Sequence, residues 1–182
     1  MNMINNMEHI IIREPKREEY KEIVEVLLSE KALWNNETFT EQELEWLEVG
    51  KDNVERLIDA EKARRYLVAI LDGKIVGFLS WRMTANNIGW VSQSATLAEY
   101  YRKGVGRALN QEVERQAKEL GLAAIMKETQ KKAEWAVKFH VANGYKILTQ
   151  EEVDTPPFKG ALSKPIAEAS YVFGKKAEDF CK

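Results

Sequence analysis

The chain holds one cysteine, Cys181, in 182 residues. It can form no intrachain disulfide and no cysteine-based zinc site. His9 and His140 are its only histidines, so a histidine-rich metal centre is excluded and no metal is expected. Proline is scarce at 4 residues and glycine ordinary at 10, which rules out collagen-like and low-complexity classes. Charge of one sign is lacking too: 27 Lys and Arg face 29 Asp and Glu, a net of −2. A dedicated nucleic-acid binder carries a basic excess, so no nucleic-acid partner is expected. No segment approaches the ~18 apolar residues of a membrane-spanning helix, so no membrane partner is expected either. The amino end lacks a basic start, and Ile10-Ile11-Ile12 is its only apolar run, unlike a signal peptide. The expected compartment is the cytoplasm.

What is present is an ordinary globular composition, 45% hydrophobic and 31% charged. Length and composition predict a single domain over residues 1–182, with 1–7 as a flexible tail. Residues 8–13 read as a strand, and Pro15 suits the first turn of a following helix. Tyr20, Ile23, Val24, Leu27 and Leu28 then recur at helical spacing. Thr40-x-x-Glu43 forms a capping box, with Phe39 and Leu44 as a staple across it, and starts a second helical stretch. From residue 65 the period changes. Residues 66–71 and 75–79, joined by Asp72-Gly73, predict a hairpin. Asn86-Asn87 turns into a further strand over roughly 88–97. A helix follows with Val105, Leu109, Val113, Ala117 and Leu120 as its apolar stripe and Gly121 at its end. Residues 122–126 read as a buried strand. Trp135, Phe139 and Ala142 mark a last long helix, stopped near Gly144, and strands are expected at 145–148 and 169–173. The order is β-α-α-β-β-β-α-β-α-β-β, a mixed α/β domain.

Two glycines, Gly104 and Gly106, stand where a loop becomes a helix. Small residues there let backbone N–H groups approach an anion, and the helix start carries partial positive charge. Arg102, Lys103 and Arg107 add cations. The NTPase pattern G-x-x-x-x-G-K-(S/T) is absent, and Leu109 takes the last position of the dinucleotide pattern G-x-G-x-x-G.

In element order and in two motifs the chain resembles the GNAT superfamily of acyl-CoA-dependent N-acyltransferases. That family's loop reads (R/Q)-x-x-G-x-(G/A). Here Tyr101-Arg102-Lys103-Gly104-Val105-Gly106 matches both small positions and departs at the first. The family's later helix reads N-x-x-A-x-x-F-Y-x-x-x-G-F. Here Ala133-x-x-Ala136-x-x-Phe139-His140-x-x-x-Gly144-Tyr145 matches at Ala136, Phe139, Gly144 and the aromatic that follows. Ala133 replaces the Asn that usually binds the pantetheine arm, and His140 replaces the Tyr that usually protonates the departing thiolate.

The resemblance implies a mostly antiparallel central sheet with flanking helices and two splayed parallel strands in its middle, here 90–97 and 122–127. It implies acetyl-CoA, or another acyl-CoA, as co-substrate, with amides from Arg102 to Arg107 gripping the pyrophosphate. Ala95, Thr96 and Leu97, and Ala133, Ala136 and Phe139, would lie along the arm. A backbone amide near Ser94 to Thr96 would polarise the thioester carbonyl. His140 is the candidate general acid, as imidazolium or as a neutral relay. The candidate base is Glu128, or a water held by Ser92, Gln93 or Ser94. Trp81 lines the acceptor pocket or fills the core.

Residues 37–61 hold nine acidic residues against Lys51 and Arg56, a local charge of −9 + 2 = −7. Such a field concentrates a cationic amine; the same glutamates also serve simply as good helix formers. The expected activity is N-acetylation of a primary amine on a small molecule or peptide. The alternative is a non-catalytic module of the same fold that binds CoA or an acyl-CoA as a regulatory ligand. A homodimer paired through the C-terminal strands is compatible with the pattern.

Overall fold

The computed structural model describes residues 9–30 and 64–182. The clearest local signal produces the clearest local structure. Asp72 and Gly73 take φ of 51° and 78°, the two left-handed residues that a two-residue hairpin needs. They join β2 (Arg65–Leu71) to β3 (Lys74–Met83). Asn87, at φ 59°, closes the next turn into β4 (Ile88–Thr96). Ahead of these lie β1 (Ile11–Arg13) and α1 (Tyr20–Glu30). After them come α2 (Val105–Glu119), β5 (Ala124–Gln130), α3 (Glu134–Ala142), β6 (Lys146–Ile147), α4 (Gln150–Val153) and β7 (Ser170–Lys176).

The strands form one sheet in the order β1-β2-β3-β4-β5-β7-β6. Every neighbouring pair is antiparallel except β4 with β5, which is parallel. This is the mixed, mostly antiparallel α/β sheet expected from the sequence. Among the described residues no helix is long and apolar enough to cross a membrane.

Each face of the sheet has its own cover. On one, Val105, Leu109, Val113 and Ala117 of α2 pack against Leu67, Leu79, Trp81, Val91 and Phe173. Each buried Val, Leu or Phe side chain among them contributes about 1.5–3 kcal/mol by leaving water. Trp81 is fully buried here, so it fills the core and does not line an acceptor pocket. On the other face, Tyr20, Ile23, Val26 and Leu27 of α1 pack on Tyr66, Val68, Phe78 and Ala95. The far part of that face is covered by the connection from β6 to β7, through Leu148, Val153 and Phe158 on Ile88, Met126 and Val172.

That connection is folded. Thr149 and Glu152 form a capping box at the start of α4, with Thr149 N donating to Glu152 Oε2 at 2.8 Å. Further on, Ile166 N donates to Gln150 Oε1 at 2.9 Å, which ties the strap 162–167 back to α4.

Several sequence expectations shift. Pro15 stands before the helical turn, because Lys16 is the N-cap of the 3-10 turn that leads into α1. Leu120 is 41% exposed at the end of α2, outside the buried stripe. The strand expected at 122–126 starts at Ala124 and runs to Gln130, because β7 pairs with its whole length. The second helical stretch, with Thr40, Glu43 and the acidic run 37–61, lies outside the described residues.

Candidate active site

β4 and β5 pair only from Ile88 with Ala124 to Val91 with Lys127. Beyond that point each strand keeps its outer neighbour. β4 stays on β3 as far as Thr96, and β5 stays on β7 as far as Gln130. The parting coincides with a bulge: Trp81 opposes Val91 while Ser80 opposes Gln93, so Ser92 is the extra residue. A bulge bends its strand and increases its twist. The outcome is a cleft inside the sheet with a strand edge on each wall, a geometry that accepts an extended chain.

The open end of β4 leads through a 3-10 turn, Ala98–Tyr100, into the glycine loop. Arg102 and Gly104 both take left-handed backbone, with φ of 62° and 87°. Gly104 is the N-cap of the 15-residue α2. The first bond of the helix runs from Ala108 N to Gly104 O at 2.9 Å, so the amides of Val105, Gly106 and Arg107 precede it. Arg102, Lys103 and Arg107 are exposed around them. The helix start is thus a cationic anion receptor at the mouth of the cleft.

The two glycines serve different needs. A Cβ on Gly104 would meet only Ile10 Cδ1 at 3.9 Å, so this position needs glycine for its backbone angle. A Cβ on Gly106 would lie 2.9 Å from Phe139 Cζ, so this position needs glycine for space. Val105 is buried in the core and reaches the site through its amide alone.

The cofactor-side residues divide similarly. Ser94 and Thr96 are half-buried on β4. Ala95 points its methyl into the α1 core and has only its backbone to offer. Leu97 is half-buried, and its N–H donates to Val76 O at 2.9 Å. Ala133 is buried at the start of α3; its N–H donates to Gln130 O at 3.0 Å and its carbonyl accepts from Ala136 and Val137. It is a packing residue there. Ala136 and Phe139 are half-buried, and Phe139 lies over Gly106.

His140 is only 7% exposed. Its ring sits edge-on to Phe173, centroids 4.9 Å apart, with Phe139 and Tyr145 beside it. Burial, with a smaller push from Lys127, holds its pKa down to about 3. The imidazolium form expected from the sequence is therefore corrected: the ring is neutral at pH 7. Its Nε2 lies 3.5 Å from Thr129 Oγ1 on β5, and Nδ1 has no partner among the described residues. The sign of the linkage is fixed by the lowered pKa. Between pH 6.5 and 3 the unfolded chain binds this proton and the folded chain does not, so stability falls as pH falls, by up to about 1.4 kcal/mol per unit. His140→Phe should flatten the loss measured by urea unfolding between pH 6.5 and 5. An identical slope in both proteins would contradict the burial argument.

Glu128 occupies the opposite face. It follows Lys127, the last residue paired across β4 and β5, and is exposed. Side chains alternate along a strand, so it shares a face with Met126, which packs with Trp90 and the strap residues Leu162 and Ile166. Thr129 and His140 thus approach the cleft from one side and Glu128 from the other.

Sequence reasoning missed a buried polar cluster next to the cleft. Lys127 is 3% exposed. Its Nζ donates to Asn110 Oδ1 at 2.6 Å and sits 3.8 Å from the Tyr145 ring centroid. Burial pushes its pKa down to about 7, with Glu114 opposing and Lys175 adding. Lys175 Nζ donates to Glu114 Oε1 at 2.8 Å, and Cys181 N donates to Glu114 Oε2 at 2.7 Å. Alternation was the available signal: Lys127 lies between Ile125 and Thr129, and Lys175 two residues beyond Phe173.

Solved structures share this architecture. The PaiA N-acetyltransferase from Thermoplasma acidophilum, in complex with coenzyme A, superposes with a TM-score of 0.71 at 20% identity, over 92% of this chain and 99% of that one. A GNAT-family acetyltransferase from Staphylococcus aureus Mu50 gives 0.65 at 21% identity, over 93% and 99%. The ribosomal-protein-S18-alanine N-acetyltransferase from Escherichia coli gives 0.59 at 12% identity, over 93% and 94%. At these identities the likeness is one of fold. No curated protein matches the chain in sequence. The model of the Acetyltransferase (GNAT) family matches residues 21–145, well over half the length and spanning both the glycine loop and the Phe139-His140 helix. The chain belongs to the GNAT acetyltransferase family.

Proposed function

We propose that the protein is an acetyl-CoA-dependent N-acetyltransferase that passes an acetyl group to a primary amine by direct attack on the thioester. The observation that carries this reading is the parting of β4 and β5 at the end that leads into the glycine loop. It lines up an anion receptor, two open strand edges and two polar faces along one path. Coenzyme A supplies a pyrophosphate for the first and an extended amide-bearing arm for the second.

The residues divide the work as follows. The amides of Arg102 and of Gly104 to Arg107, with the exposed Arg102, Lys103 and Arg107 side chains, hold the pyrophosphate, whereas the Lys103 amide is corrected out of this set because it donates to Tyr100 O at 3.3 Å. The β4 backbone near Ser94 to Thr96 polarises the carbonyl. Glu128 takes the proton that the amine loses, directly or through a water held by Ser92, Gln93 or Ser94. The Thr129 hydroxyl, within 3.5 Å of neutral His140 Nε2, donates a hydrogen bond to the departing thiolate, which takes its proton from solvent as Glu128 releases one. The amine ends with one N–H fewer and the sulfur with one more, so the protons balance. The compartment in this reading is the cytoplasm, with no metal involved.

The test is thiol release from acetyl-CoA over a panel of amines. Amine-dependent release is expected, with His140→Phe lowering kcat by up to about a hundredfold, the cost of a roughly 1 Å misplacement of the Thr129 hydroxyl, while acetyl-CoA affinity holds. Acetyl-CoA binding without release from any amine would favour the regulatory module instead.

A further inference from the structure

Resting on that reading, we infer that the acceptor is an amino carboxylate, a compact primary amine carrying its own carboxylate and an apolar flank, bound between β5 and the strap 162–167. A cavity of about 250 Å³ lies there. Leu162, Ile166 and Val172 supply its apolar wall, and Glu128, Ser163 and Lys164 its polar groups. Its size suits a molecule no larger than an amino acid.

The cavity has the wrong charges for a polyamine. Glu128 is its single carboxylate, and no described residue makes an ion pair with it. Lys164 is its single cation and is likewise unpaired among the described residues. A dipolar ligand satisfies both at once, whereas a second ammonium would face Lys164. Glu128 stands one residue beyond the last β4–β5 pair. An amine held there is at the cleft, and its carboxylate extends under the strap toward Lys164. The walls are fixed in advance. Gln150 Oε1 accepts from Ile166 N, and Leu162 and Ile166 pack on the cluster built around Met126 and Val172. This departs from the cationic acceptor suggested by the acidic run 37–61, which lies outside the described residues.

The experiment uses matched acceptors: leucine against 3-methylbutylamine, the same amine without the carboxylate. Rates are compared per concentration of neutral amine, because the two amines differ in basicity. Binding to the protein saturated with CoA is measured in parallel by calorimetry, where no turnover occurs. Leucine should have the higher kcat/KM and the tighter binding by about fivefold, the upper range for an exposed charge pair. Lys164→Met should erase that ratio. Equal binding of the two amines, or a leucine preference that survives Lys164→Met, overturns the inference whatever the turnover. Leucine binding that depends on Lys164, with no thiol released, upholds the site and overturns the enzyme reading.

Discussion

Acetyl-CoA binding is expected to fall at least about a hundredfold in Gly104→Glu, a loss of roughly 2.7 kcal/mol from a wild-type value near −8 kcal/mol at micromolar affinity. The argument combines space, backbone and charge. Space is no obstacle, since a Cβ at position 104 would touch only Ile10 Cδ1 at 3.9 Å. The backbone angle, φ 87°, costs a side chain about 1–2 kcal/mol of folding free energy. The new carboxylate offsets part of that cost, because a negative charge at a helix start is favourable. The same carboxylate then occupies the receptor that the pyrophosphate needs. Gly104→Ala separates the terms, since it carries the strain without the charge and should keep most of the affinity. Calorimetric titration reports the binding and thermal melting the fold. Undiminished affinity in folded Gly104→Glu would mean that the pyrophosphate does not lie at this helix start.

Glu114→Leu should destabilise the protein by about 3–5 kcal/mol, the usual result of removing one partner from a buried ion pair. Glu114 and Lys175 have side-chain exposures of 3% and 5%, and the two carboxylate oxygens serve different elements. One holds Lys175 on β7, the other the Cys181 amide near the chain end. Lys127 adds a second amine to the same buried space. Without Glu114, Lys175 keeps only the Asn143 carbonyl at 3.1 Å, and the Cys181 N–H loses its acceptor. For a chain of this length the loss corresponds to a drop in Tm of roughly 10 °C. The double variant Glu114→Leu/Lys175→Met should recover most of it, because no buried charge is then left alone. Urea unfolding of the three proteins decides the matter, and a single-variant loss below about 1 kcal/mol would contradict the account. Lys127 adds a pH signature. Its pKa is lowered from 10.5 to about 7, so between those values the unfolded chain binds the proton and the folded chain does not. Stability therefore rises with pH across that window.

The features legible in the sequence are those set by neighbours along the chain. Asp72-Gly73 dictates its own turn, and the stripe Val105, Leu109, Val113 and Ala117 dictates which side of α2 is buried. The glycine loop is legible in part for the same reason, since Gly104 answers to its own backbone angle, whereas Gly106 answers to the distant Phe139 ring. Features set by distant partners were not legible. Lys127 reads as a surface cation until Asn110 and Tyr145 close over it. The two residues of β6 carry no pattern of their own and exist because β7 pairs with them. For the candidate site, the glycine loop 102–107 is marked by its own sequence pattern. The choice between the two forms of His140 was not legible, because it follows from burial of the ring beside Phe139, Tyr145 and Phe173.

The contact between Gly106 and Phe139 bears on how such a chain can change over time. The ring fills the space that a Cβ at position 106 would need. The two family landmarks, 33 residues apart in the chain, are therefore halves of one lock. A lineage that enlarges one must shift or shrink the other. Positions 106 and 139 should drift together as a single inherited character, while Gly104, constrained by its own backbone alone, answers to no other residue.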